Sequence, residues 1–211
     1  MTKILPARLK GTPLAIVEAA ERLFGEFGIE SVSLRQIRLE ACAGNNSAIS
    51  YHFNDRAKLV RAIWEWRLPE LEKMRRALLD RMAEEGTLAD PQAILRALIL
   101  PNYELKDAAG MHRYASFFRH AIRWQQGAAI RQDALYLTPA SSEAIALFHA
   151  LRPDVPPDLL DYRLRHGCCM FFDMISERDA AIASGVAVEP EETFLNEGMA
   201  MLEALCLRPA L

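Results

Sequence analysis

The stretch that most constrains this chain is residues 33–53, SLRQIRLEACAGNNSAISYHF, because helix start signals stand there on both sides of a clear break. Ser33 suits the cap of a helix beginning near Leu34, Gln36 three residues on completes a capping box, and Val32 can staple onto Ile37. That helix runs to about Ala41, where Cys42-Ala43-Gly44-Asn45-Asn46 interrupts it with residues that tolerate left-handed backbone or cap a following helix. The next helix starts at Asn46 or Ser47. Within it Ile49 and Phe53, four apart, anchor one face to a core and turn Ser47, Ser50, Tyr51 and His52 outward. Two short helices about a tight turn, the second with a small polar and aromatic outer face, form the layout of a helix-turn-helix that reads DNA.

A third helix precedes the pair. Ile16, Val17, Ala20, Leu23, Phe24 and Phe27 recur at helical spacing from Pro13 onward, with Thr12 suited to cap the start and Gly28-Ile29 to close it as a Schellman stop with its hydrophobic clasp. An apolar first helix ending in Phe-Gly, then S-L-R-Q-I, a short turn, and N-S-A-I-S-Y-H-F followed by N-D-R-A-K-L-V resembles the N-terminal domain of the tetracycline-repressor (TetR) family of bacterial regulators. The motifs cover about the first sixty residues; the rest of the chain agrees in length and helical character. One departure is the turn: the usual one is a residue shorter and reads like A-G-V-S, whereas A-C-A-G-N-N here resembles an asparagine-containing subset.

The resemblance implies DNA contacts at Ser33 and Arg35 on the first helix of the motif, at Asn46, Ser47, Ala48, Ser50, Tyr51 and His52 on the second, and a phosphate contact at Arg56 just beyond. Hydroxyls, amides and helix N-termini position a protein on phosphates, while an arginine at a guanine edge selects sequence, which singles out Arg35. It further implies a homodimeric, ligand-responsive repressor on a palindromic operator, released by a small, largely apolar effector. No cofactor, metal or catalytic residue belongs to that reading. Alternatives are an activator, a thiol-based redox sensor using Cys168 and Cys169, or an all-α enzyme. A phosphate loop, a nucleophile elbow and a paired-histidine zinc motif are all missing from the sequence.

Charge is divided in the expected direction. The net charge of −3 splits into eight Lys/Arg against six Asp/Glu over residues 1–60 and seventeen against twenty-two beyond. So slight a positive excess gives modest affinity for phosphates, which favours two heads acting together and binding that weakens with salt. Four cysteines, Cys42, Cys168, Cys169 and Cys206, show neither zinc spacing nor a paired framework. With no apolar run long enough for a membrane span or a signal core, the expected location is cytoplasmic.

Beyond the motif every break reads as a helix boundary, so the fold class is all-α with about nine helices: a head at 1–58 and a ligand-binding and dimerisation body at 59–211. Asn54 or Asp55 caps a long helix from Arg56 to about Glu84, with a kink expected at Pro69. Further helices open at Asp90-Pro91, with Pro101 a second kink, at Met111 running to Gln126, at Thr138-Pro139, after the Pro153–Pro157 cluster, and at Pro190.

Two apolar stripes near the end are the expected dimer interface, Leu164, Cys168, Phe171, Phe172 and Ile175 on one helix and Phe194, Leu195, Met201, Leu202 and Leu205 on the other. Gly198 would leave room for close approach. The competing reading is that both stripes face the core of a single chain. Aromatic and soft apolar residues of the middle helices, Tyr103, Tyr114, Phe117, Phe118, Ala121, Trp124, Phe148, Met170 and Met174, are the candidates for lining a ligand cavity.

Overall fold

The computed structural model describes residues 11–41, 53–133 and 137–210, and every regular element among them is a helix. In chain order these are α1 (Thr12–Phe27), α2 (Leu34–Glu40), α3 (Arg56–Glu85), α4 (Pro91–Glu104), α5 (Arg113–Arg123), α6 (Gly127–Asp133), α7 (Pro139–Ala150), α8 (Pro157–Ala183) and α9 (Glu191–Cys206). The all-α expectation holds.

Local chemistry places most of the boundaries. Ser33 and Gln36 form the reciprocal capping box: Gln36 N donates to Ser33 Oγ at 3.2 Å and Ser33 N donates to Gln36 Oε1 at 2.8 Å. Of the two candidates for α3, Asp55 is the cap, accepting from Lys58 N at 2.8 Å. Asp90 does the same for α4 through Gln92 N at 2.9 Å. Pro69 and Pro101 lie inside α3 and α4, and both helices run on past them.

Three expectations are corrected. Thr12 is the first residue of α1 and not its cap; that position falls to Gly11, whose φ of 61° a threonine would resist. At the other end Gly28 donates to Phe24 O at 3.0 Å but takes φ 85°, ψ 153°, outside the left-handed helical region a Schellman stop requires. Ile29, the next residue, is buried in the head. The helix expected over 111–126 ends at Arg123, and a separate α6 follows. Gly127 permits the sharp turn between them, since a Cβ would stand 2.1 Å from Ala121 O.

Two apolar clusters organise the packing. The body cluster joins Leu79 and Met82 of α3 with Leu95, Leu98 and Tyr103 of α4, Phe148 of α7, Phe171, Phe172 and Ile175 of α8, and Phe194 and Leu202 of α9. The head cluster joins Ile16, Val17, Ala20 and Phe24 of α1 with Val32, Ile37, Phe53 and, from α3, Leu59 to Trp64. It also takes Tyr114, Phe117 and Ala121 from α5, so the expected division at 58/59 passes through packed side chains. The seam is tight at Gly25, where a Cβ would meet Phe117 N and Ser116 Cβ at 3.0 Å. Arg119 NH2 donates to Gly25 O at 3.2 Å across it.

Candidate functional site

Within the head, Arg35 stands exposed on α2 and takes no partner among the described residues, which leaves its five donors available. The hydroxyl of Ser33 is also exposed, though engaged with Gln36 in the cap. Arg56 is occupied within the protein: Nε donates to Val32 O at 3.1 Å and NH2 to Glu30 O at 3.4 Å, bracing the α1–α2 loop against the start of α3. A phosphate contact there would have to share the guanidinium with that brace. Asn46, Ser47, Ala48, Ser50, Tyr51 and His52 lie outside the described residues.

The body holds a cavity of about 240 Å³ between α3, α4, α5, α7 and α8, with Arg131 of α6 at its wall. Trp64, Leu68, Leu71, Leu98, Ile99, Ile145, Leu164 and Phe172 make it largely apolar. Of the residues expected to line it, Tyr114 and Phe118 do. The others are structural. Tyr103 lies 4.4 Å from the His112 ring and donates its hydroxyl to Glu191 at 2.8 Å. Phe148 fills the body cluster and Phe117 and Ala121 the head cluster, with Trp124 half-buried against the latter and Met170 and Met174 against the former. Periodicity located the apolar faces correctly; which of them leave space unfilled depends on how five helices meet.

Polar groups enter this wall from residues that the apolar search passed over: Arg75, Asn102, Arg131, Thr138 and Ser141. Glu72 and Arg75 form a buried pair, Arg75 NH1 donating to Glu72 Oε1 at 2.7 Å and to Ser141 Oγ at 2.7 Å, and NH2 to Leu98 O at 3.0 Å. Glu72 Oε2 accepts from Ala140 N at 2.7 Å and Ser141 N at 3.2 Å, so a carboxylate from α3 serves the N-terminus of α7. Burial pushes the Arg75 pKa down against the opposing pull of Glu72. A signal was present: Arg75 falls four residues from both Leu71 and Leu79, on the buried stripe of α3.

The three described thiols are shifted away from reactivity. Cys168 lines the cavity, and burial pushes its thiol, like that of Cys169, well up; Cys206 is pushed up to about 12. Reactive cysteines need the opposite shift. Among the described residues no three His, Cys, Asp or Glu side chains gather as a metal site, and no helix is long and apolar enough to cross a membrane.

The expected dimer stripes divide. Phe171, Phe172, Ile175 and Leu202 are wholly buried within the single chain and Phe194 nearly so; Leu164 and Cys168 face the cavity. The five phenylalanine, isoleucine and leucine side chains buried in this way face the core of the single chain. Gly198 makes its close approach inside the chain, since a Cβ would lie 2.5 Å from Phe171 Cε2. Met201 (48% exposed) and Leu205 (37%) do face outward, and Leu195 is half-buried. Sequence periodicity marks an apolar face but not what covers it.

No curated protein matches the chain. Residues 16–63 match the model of the bacterial regulatory proteins of the tetR family, and that match runs from α1 through the helix-turn-helix segment into the start of α3. Helix capping at Ser33, the shared core of α1, α2 and α3, and an unpartnered Arg35 on the outer face agree with that family's DNA-reading head, so the chain carries a DNA-binding domain of the tetR regulators.

Proposed function

We propose that this chain is a ligand-responsive repressor that binds a palindromic operator as a homodimer in the cytoplasm and leaves it when a small effector fills the body cavity. The observation that carries this reading is the double role of α5: Tyr114 and Phe118 wall the cavity, while Phe117, Ser116 and Arg119 of the same helix grip α1 of the head. A shift of α5 to admit a molecule therefore moves the head. Repression is then a population shift between two arrangements of paired heads, and it requires the effector to bind them with different affinity.

Pairing is supported by an outward ridge. Met201 and Leu205 lie one turn apart on α9, and Tyr162 (54% exposed) lies beside His166 on α8, their rings 4.0 Å apart. Gly167 and Leu205 are neighbours where these helices cross. A two-fold contact along this ridge would match two heads to two half-sites.

The test is fluorescence-anisotropy binding of the purified chain to DNA from upstream of its own gene, with a salt titration and an Arg35→Ala control. Saturable binding that weakens with salt and drops by about tenfold or more without Arg35 is expected, an arginine at a base edge contributing roughly 1–3 kcal/mol. Uniform weak binding to every fragment, unchanged by Arg35→Ala, would overturn the operator assignment.

A further inference from the structure

Two buried N–H groups on the cavity wall have no partner. Arg75, 4% exposed, spends NH1 and NH2 on Glu72, Ser141 and Leu98 O but leaves Nε unmatched; Trp64, 2% exposed, leaves Nε1 unmatched. A buried donor without an acceptor is costly, and native chains keep few of them. Both residues line the same cavity, but these two nitrogens expose no surface to it, so an acceptor in the cavity must be held from elsewhere on the wall.

Charge makes the acceptor more specific. The Arg75 cation is neutralised by Glu72, whose oxygens are all engaged by donors. Arg131 has no such partner: its NH1 donates to Ala121 O at 3.2 Å, and no carboxylate pairs with it among the described residues. Burial holds its pKa below the ordinary arginine value, and the like charge of Arg165 pushes the same way. The wall thus carries one positive charge that no described carboxylate compensates, in a largely apolar surround. Size narrows the choice. About 240 Å³ lies between the roughly 150 Å³ that holds one benzene ring and the roughly 300 Å³ where drug-sized sites begin.

From these observations we infer that the effector is a small amphipathic monocarboxylate, one aromatic ring or a short aliphatic chain bearing a single acid group, held by Arg131. A carboxylate suits this wall better than a phosphate, which brings nearly two charges at neutral pH to a single uncompensated cation. The inference rests on the ligand-responsive reading above and replaces the largely apolar effector expected from sequence.

The test uses the full-length chain and three acids, benzoate, 4-ethylbenzoate and octanoate, each beside its neutral primary amide, with affinity read by titration calorimetry and operator release by anisotropy. The expected result is that at least one acid binds about tenfold or more tighter than its amide, since hydrogen bonds to an ionised group are about twice as strong as neutral ones. Arg131→Met should reduce that preference to near unity, the acid losing much more affinity than the amide. Equal affinities, a preference that survives Arg131→Met, or no binding by any acid would overturn the carboxylate inference. Tight acid binding with no change in the operator complex would instead uphold the inference and sink the ligand-responsive reading.

Discussion

Two guanidinium–carboxylate pairs sit on α3 about two turns apart, and they are built for different ends. Arg67 meets Glu21 of α1 fork to fork, Nε to Oε1 at 2.8 Å and NH2 to Oε2 at 2.6 Å, and its guanidinium stacks over Trp66 at 3.7 Å. Both oxygens of Glu21 are taken by that one partner. Arg75 and Glu72 spread their bonds instead over α4 and α7 beside the cavity, and Arg75 Nε is left without a partner. The first pair fastens the head to α3; the second holds three body helices around a space that a ligand can enter. A closed pair is indifferent to an effector, whereas an open one changes with it.

The largest effect should separate the two pairs directly. Glu72→Gln strands the Arg75 cation, with both side chains under a tenth exposed, and turns an amide toward the N–H groups of Ala140 and Ser141. A loss of about 3–5 kcal/mol in urea denaturation is expected, the usual cost of breaking a buried pair from one side. Glu21→Gln should cost less, about 2 kcal/mol, because Arg67 is 14% exposed and can regain water. Burial also pushes the Glu21 carboxyl up against the pull of Arg67, so its charge is already partly opposed. If the Glu21 variant lost as much as the Glu72 variant, the contrast between a closed and an open pair would fail.

The difference between these regions also explains what sequence could say. The head was legible because its signals are local: Ser33 with Gln36, Asp55 before Arg56, and helical spacing from Ile16 to Phe24 each act within a turn or two. The cavity was not. Glu72 and Arg75, three apart on a charged helix, read as an ordinary solvated pair unless the stripe from Leu71 to Leu79 is traced through them. Phe171 and Phe172 read equally well as interface or core, and only the crossing of α8 over α5 and α9 decides. The short α6 lacked any start signal beyond Gly127.

The seam between the regions offers the next test. Gly25→Ala places a methyl 3.0 Å from the backbone nitrogen of Phe117, which cannot rotate away. Forcing α1 from α5 should cost about 1–2 kcal/mol, as overpacking typically does. The more telling readout is coupling: operator affinity should become less sensitive to whatever fills the cavity. A variant that is destabilised yet keeps the full ligand effect would show that the signal travels through α3 instead.

The smallest effect compares carboxylates through pH. Asp107 Oδ1 accepts from Ala109 N at 2.8 Å and Met111 N at 2.9 Å, and Oδ2 from Arg113 Nε at 3.0 Å, fixing the loop that launches α5. Burial alone would raise this carboxyl, but the backbone bond from Met111, the pair with Arg113 and the bond from Ala109 together hold it below the ordinary 3.8. A group depressed in the folded state contributes stability that is fully present above 3.8 and fades as pH falls through the folded value. Asp107→Asn should therefore cost about 1 kcal/mol at neutral pH and almost nothing in strong acid. Glu21 runs the other way, since its raised carboxyl takes up a proton in the folded state first and its unfavourable charge is relieved as pH drops toward 4.5. Stability curves for wild type and each variant, recorded from pH 7 downward, should converge for Asp107→Asn and not be steepened by acid. Parallel curves for Asp107→Asn would mean that its hydrogen bonds hold the loop without the charge, and that α5 is positioned by packing on α1 alone.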